Sequence, residues 1–149
     1  MSEQAAALLD VNVLVALAWP NHVGHAAAQV WFAEESCRGW ATTPFTEAGF
    51  VRVSSNRRAL PTATTPALAI EMLGQLSALP GHVFWSDTVP GVVNDGIRTS
   101  ELIGHRQVTD AHLVTLCLVH GGPLVTFDRA IRNLTAPGRD PVRLLTAGD

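Results

Sequence analysis

Short apolar runs alternate along this chain with longer stretches of helical spacing. Ala7–Leu9 is an apolar run that stops at Asp10, and Val13–Trp19 continues as an apolar, helix-like segment. Over Asn21–Glu35 the apolar residues recur at helical intervals, with Val23, Ala26, Val30 and Ala33 forming a stripe. Trp40–Thr42 fits a short strand, and Pro44 suits the first turn of a helix running to about Val53. Arg57–Thr65 reads as a loop, Pro66–Leu79 as a helix closed by Pro80-Gly81, and His82–Trp85 as a strand. Val92–Ile103 is expected to be helical, with Gly104–Val108 as a connector. Thr109 is then the expected N-cap of a helix Asp110–His120, which Gly121-Gly122 terminates. Leu124–Phe127 is the cleanest strand and Val142–Leu145 the last. Strands alternating with helices predict an α/β fold in three layers, a mainly parallel central sheet flanked by helices.

At 149 residues, 47% hydrophobic and 15% charged, the chain is long and apolar enough for one domain, 1–149, with a full core. It shows no internal repeat or low-complexity run that would divide it. The amino-terminal stretch MSEQAAALLDVNVLVALAW is apolar, but it has no basic leader and Asp10 interrupts it before a membrane-spanning length. A cytoplasmic protein without a membrane segment is expected. Cys37 and Cys117 are far apart and form no CxxC pair, so neither a disulfide scaffold nor a cysteine metal site is indicated. The net charge of −3 excludes nucleic-acid binding driven by overall charge but leaves room for a local basic groove. Every basic residue in it would be arginine, because the chain has no lysine.

The charged positions sharpen the picture. Right-handed crossovers put the C-terminal ends of parallel strands on one edge of the sheet, where open α/β folds bind ligands. Asp10 directly follows the first strand and Asp128 the strand Leu124–Phe127; Glu47 lies in the first turn after Trp40–Thr42, and Asp110 begins a helix. Four acidic side chains, scattered in sequence, are therefore expected at one edge. Crowded carboxylates repel unless protons or cations intervene. Hard oxygen ligands suit Mg²⁺, with Mn²⁺ as a substitute, and such a site serves metal-assisted phosphodiester hydrolysis. Structural roles compete: Asp110 could be a first-turn acid favoured by the helix dipole, and Asp128 could cap a short helix Arg129–Leu134. Asp10, set between Leu9 and Val11 in a buried run, is hardest to explain that way. Asn12 could cap the following helix or hydrogen-bond Asp10, capping being the simpler role.

The segments LLDVNVLVAL, TTPFTEAGFVRV, VTDAHLVTLCLVHGG and LVTFDRAI resemble PIN-domain ribonucleases, and more narrowly the VapC toxins of VapB–VapC toxin–antitoxin pairs. The likeness extends over nearly the whole chain and rests on four acidic residues in matching order and context. It implies a PIN-like fold and a metal-binding catalytic quartet of Asp10, Glu47, Asp110 and Asp128, supported by Asn12 and Thr126. It also implies an RNA substrate, structured and of the transfer or ribosomal kind, together with a homodimer and an inhibitory VapB-like antitoxin lying across the active-site groove. Arg57–Leu60 and the region around Val89–Arg98 match nothing in the family pattern.

Arginines must hold RNA phosphates beside an acidic centre. Arg52, Arg57, Arg58, Arg98, Arg106, Arg129 and Arg132 are candidates, with Arg129, Arg98 and Arg106 preferred and Arg129 first because it follows Asp128. His22, His25, His105, His112 and His120 lack cysteine partners at zinc spacing. Trp19, Trp31, Trp40 and Trp85 could stack on bases, but apolar neighbours favour core packing. Ala111–Val119, apolar on nearly every face, suggests burial against the sheet and either another helix or a second subunit. Rival folds fare worse. A receiver module needs a late lysine, a Walker site needs G-x-x-x-x-G-K, and a haloacid-dehalogenase-like phosphatase needs D-x-D where Asp10-Val11-Asn12 stands. An inactive PIN fold serving only as a binding partner is disfavoured because all four acidic positions are filled.

Overall fold

The computed structural model describes residues 5–88, 92–136 and 138–147. Residues 1–4, part of the apolar amino-terminal stretch, and residues 89–91, just ahead of the expected Val92–Ile103 helix, lie outside the described residues. Five strands, β1 Ala7–Leu9, β2 Trp40–Thr42, β3 His82–Phe84, β4 Leu124–Thr126 and β5 Val142–Leu144, form one all-parallel sheet in the order β3-β2-β1-β4-β5. Helices α1 Val11–Ala18, α2 His25–Glu35, α3 Pro44–Ser54, α4 Pro66–Ser77 and α5 Arg106–His120 cover it. The expected three-layer α/β architecture is therefore present.

Alternation along the strands sorts the core into two halves. Ala7, Leu9, Trp40 and Val125 pack with α1, Ala28 of α2, Phe50 of α3 and Leu73 of α4. Leu8, Ala41, Leu124 and Val142 pack with α5, Trp85, Ile131 and Leu134 on the other face. β1, β2 and β4 are buried on both faces, which is why β1 and β4 read as continuous apolar runs. Trp40 and Trp85 are core residues, and Trp19 and Trp31 are partly buried against the first cluster.

Several boundaries differ from the sequence expectation, each for a local reason. α1 starts at Val11 because Asp10, not Asn12, is its N-cap: the Val11 N–H donates to Asp10 Oδ1 at 2.7 Å. α5 starts at Arg106, so Gly104–Val108 is only in part a connector and Thr109 is no cap. No side chain caps α5; its N-cap is His105, and Gln107 Oε1 accepts from the N–H groups of Ile103 (2.6 Å) and Gly104 (3.3 Å), which ties down the chain ahead of the helix. Thr109 instead donates its hydroxyl to the Arg106 carbonyl at 2.9 Å. Val92–Ile103 is not an α-helix; only Thr99–Glu101 forms a 3-10 turn. Asn94 draws the backbone out of helix by accepting from Gly96 N–H (2.9 Å) while donating to Thr115 (3.0 Å). The stripe Val23, Ala26, Val30 and Ala33 faces outward, and α2 buries Ala28 in its place, with Trp31 and Phe32 beside it. α5 packs Ala111, Leu113, Val114, Leu116 and Cys117 into the second cluster, while its Val108 and Val119 stay exposed.

Gly49 lets α3 approach the start of α1. A Cβ there would sit 2.5 Å from Val11 Cγ2, and the stiff valine has little room to yield. Gly49→Ala is expected to lower stability by about 1–3 kcal/mol in urea unfolding, as overpacking does; an unchanged midpoint would mean that the contact relaxes freely.

Candidate active site

Strand order reverses at β1, whose chain neighbour β2 lies on one side while β4 lies on the other. Such a switch point leaves a crevice at the strands' C-terminal ends. There a cavity of about 700 Å³ is lined by Asp10, Asn12, Asp110 and Asp128, with Arg52, Arg106, His22, His105 and Phe45 among its other walls. Asp10 arrives from the end of β1 and Asp128 from just past β4. Asp110 comes from the second turn of α5, a helix that begins at this edge because it runs back towards the start of β4. Since no acid lies in the first turn of α5, the dipole does not account for Asp110.

Asp10 is buried, and both its oxygens are held. Val11 N–H donates to Oδ1, and the Thr126 hydroxyl donates to Oδ2 at 2.7 Å. Burial raises its pKa, the two hydrogen bonds pull it down, and the negative charge of Asp128 pushes it up again. The fully buried Thr126 is a hub, for its oxygen also accepts from the Asp128 N–H (3.0 Å) and from Asn12 Nδ2 (3.4 Å). Asn12 Oδ1 in turn accepts from Phe127 N–H at 3.4 Å, which ties α1 to the end of β4. Asp128 is exposed and caps the 3-10 segment Arg129–Leu134 through Ala130 N–H at 2.9 Å. The capping role and the cavity position coexist.

Asp110 carries the strongest electrostatic signature. Burial first, then the charges of Asp10 and Asp128, push its carboxyl up to about 7. Among the described residues it accepts no hydrogen bond and makes no ion pair. The site thus carries an excess of negative charge that its own cations do not neutralise.

Glu47 stands apart. It does not line the cavity, and its Oε2 accepts from the Thr42 hydroxyl at 2.6 Å. Of the three preferred arginines only Arg106 reaches the cavity wall; Arg98 pairs with Glu101 at 3.4 Å, and Arg129 is not among the lining residues. Arg52 takes a place on the wall from the last turn of α3.

A family model described as PIN domain matches residues 7–137. The chain is 54% identical over 132 residues to Ribonuclease VapC39 of Mycobacterium tuberculosis, covering 89% of this chain and 95% of the relative. The chain belongs to the VapC family of PIN-domain ribonucleases. Ribonuclease VapC38 of the same organism is 50% identical over 141 residues, covering 94% and 98%, and Ribonuclease VapC44 is 42% identical over 140 residues, covering 94% and 98%. This PIN domain is accordingly an endoribonuclease, of a class that generally works with a divalent metal.

The donor set of the PIN site fits such an ion. Its acids are hard oxygen ligands, and the raised Asp110 carboxyl marks the charge that a cation would neutralise. Among the described residues no three His, Cys, Asp or Glu side chains converge as a ready-made coordination shell. A divalent cation that keeps most of its water ligands would need only one or two of the three aspartates around the cavity. The histidines on the wall were legible only as residues without zinc spacing. His22 now has a defined state: Gly24 N–H donates to Nδ1 at 2.9 Å, so the ring's proton sits on Nε2. Burial and the neighbouring His25 hold its pKa below the usual histidine value.

Proposed function

We propose that this chain is a Mg²⁺-dependent endoribonuclease, the toxin of a VapB–VapC pair, which cleaves structured RNA of the transfer or ribosomal kind to halt translation. One observation supports the metal-dependent reading above the others: three aspartates from β1, α5 and the end of β4 surround one cavity, and Asp110 is pushed up to about 7 by burial and then by the charges of Asp10 and Asp128. Asp10 and Asp110 would hold the ion, with Asp128 and Glu47 adjusting its surroundings. A divalent cation there supplies Lewis acidity and charge neutralisation for phosphodiester hydrolysis.

The chain's own residues do the rest. Thr126 and the Val11 N–H keep Asp10 oriented and favour its ionised form. Asn12 braces Thr126. Arg52 and Arg106, on the cavity wall, would hold RNA phosphates beside the acidic centre. Arg129 and Arg98, off the cavity wall, would act further along the RNA. A homodimer, a VapB-like antitoxin across the groove and a cytoplasmic location complete the reading, all resting on family likeness. Among the described residues no helix is long and apolar enough to cross a membrane.

The test is cleavage of cellular RNA by purified, antitoxin-free protein with Mg²⁺, with Mn²⁺ and with EDTA, followed by sequencing of product ends. Discrete cuts bearing 5′-phosphate and 3′-hydroxyl ends, restored by either ion and lost in EDTA, are expected. Cyclic phosphate ends, or cuts that persist in EDTA, would remove the metal-dependent reading.

A further inference from the structure

His82 has no assigned part in the site, yet it begins a chain of hydrogen bonds that ends on Glu47. β2 and β3 pair in register, Trp40 with His82 and Thr42 with Phe84, so alternation puts Trp40, Thr42 and His82 on one face of neighbouring strands. His82 Nε2 lies 2.8 Å from the Thr42 hydroxyl, and that hydroxyl donates to Glu47 Oε2 at 2.6 Å. Thr42 itself is fully buried.

The count of protons fixes the direction. Thr42 has one hydroxyl proton, and a carboxylate oxygen can only accept, so that proton belongs to the bond with Glu47. Nε2 must then carry a hydrogen and donate to Thr42. Burial lowers the pKa of His82 against an opposing pull from Glu47, in keeping with a neutral ring. The ring is itself held, packed 4.7 Å from Trp40, whose indole N–H donates to the Pro80 carbonyl at 3.2 Å.

We propose that His82 is a positioning residue for Glu47. By donating Nε2–H to Thr42 it orients the threonine's only proton towards Oε2, which pins one oxygen of Glu47 and leaves Oε1 without a hydrogen bond among the described residues. A hydroxyl without that donor is a free rotor, and it can turn to other acceptors. The inference rests on the reading that Glu47 serves the acidic site, and it explains how a glutamate that does not line the cavity is kept in one orientation.

The test compares two replacements of one ring. His82→Phe keeps the aromatic contact with Trp40 but loses the donor; His82→Gln keeps an N–H donor. His82→Phe is expected to lower kcat on RNA about tenfold with KM within about twofold, the lower end of what outer-shell losses produce. His82→Gln should recover to within about threefold of wild type. In a Thr42→Val background His82→Phe should change nothing further, because the link is already cut. Thermal melts check that each variant is folded. A readout independent of catalysis is the imidazole ¹⁵N spectrum of the metal-free protein, where His82 should show the neutral Nε2–H tautomer and lose that preference in Thr42→Val.

An Nδ1–H tautomer in the wild type, failure of Gln to rescue, or multiplying losses in the double variant would each overturn the proposal and leave His82 as a packing residue. Glu47→Gln separates the two readings. If it keeps full activity while the His82 tautomer stands, the role of Glu47 fails and not the hydrogen-bond chain.

Discussion

Asp110→Asn should lose RNA cleavage by about 10²-fold or more and still melt at a higher temperature than wild type at pH 8. The first effect is the scale on which losing a group that manages developing charge is felt. The second follows from linkage. The folded-state carboxyl is pushed up to about 7, against an ordinary value of 3.8. Between those values the native state holds a proton that the unfolded chain releases, so stability falls as pH rises from about 4 to about 7 and stays low above. Asparagine keeps the shape without the charge and escapes that penalty. The gain in melting temperature should therefore be largest at pH 8 and vanish near pH 4. Mg²⁺ should raise the wild-type melting temperature at pH 8, since a ligand that binds only the folded state stabilises it, and should leave Asp110→Asn nearly unmoved. A variant that melts lower at pH 8 would make Asp110 a structural residue.

Thr126→Val, close to isosteric, should fail in the opposite way, with stability and activity falling together. Its hydroxyl donates to Asp10 Oδ2 and accepts from the Asp128 N–H and from Asn12 Nδ2, so one oxygen satisfies three buried or half-buried groups. Losing a charge-assisted hydrogen bond and stranding a backbone N–H costs about 3 kcal/mol together. The Thr126 bond is also one of the two effects that lower the Asp10 pKa. Without it Asp10 protonates more readily, so the acid limb of the pH–rate profile should move to higher pH, with cleavage at pH 7 reduced about tenfold and partly regained at pH 9. Thr126→Ser, which keeps the hydroxyl, should sit near wild type in both urea unfolding and rate. Equal stability and rate for Thr126→Val would show that water replaces the hydroxyl without loss.

These residues also mark how far the sequence could be read. β1 and β4 stand out because strands buried on both faces are continuous apolar runs, and the acids that follow them fall at the crevice by topology alone. Asp10 was conspicuous as a charge in such a run. The start of α5 is hidden because its N-cap, His105, makes no side-chain cap hydrogen bond and is not one of the usual cap residues, while Thr109, which is one, lies inside the helix. The segment around Asn94 was misread because its apolar spacing suits a helix, while a side-chain turn and a bond to Thr115 decide otherwise. The α2 stripe was visible, but which of two apolar rows turns inward depends on partners contributed by other elements. Thr126 is indicated by family likeness alone, whereas Asn12 also stands out by its place two residues after Asp10. The tie between His82 and Thr42 spans 40 positions and two strands, a relation that no local pattern encodes.

The bond from Thr126 to Asp10 closes 116 positions of chain. Loop closure of that length is entropically expensive, and pairings so distant in sequence are expected among the last events of folding. The insertion of β4 beside β1 is also the event that sets Asp128 near Asp10 and gives Asp10 its second hydrogen bond. Every partly folded form that lacks this pairing therefore lacks the proposed site, however much of α1 to α4 has already packed. Refolding followed by tryptophan fluorescence should run ahead of recovered RNA cleavage, with the nuclease switched on only when β4 pairs with β1.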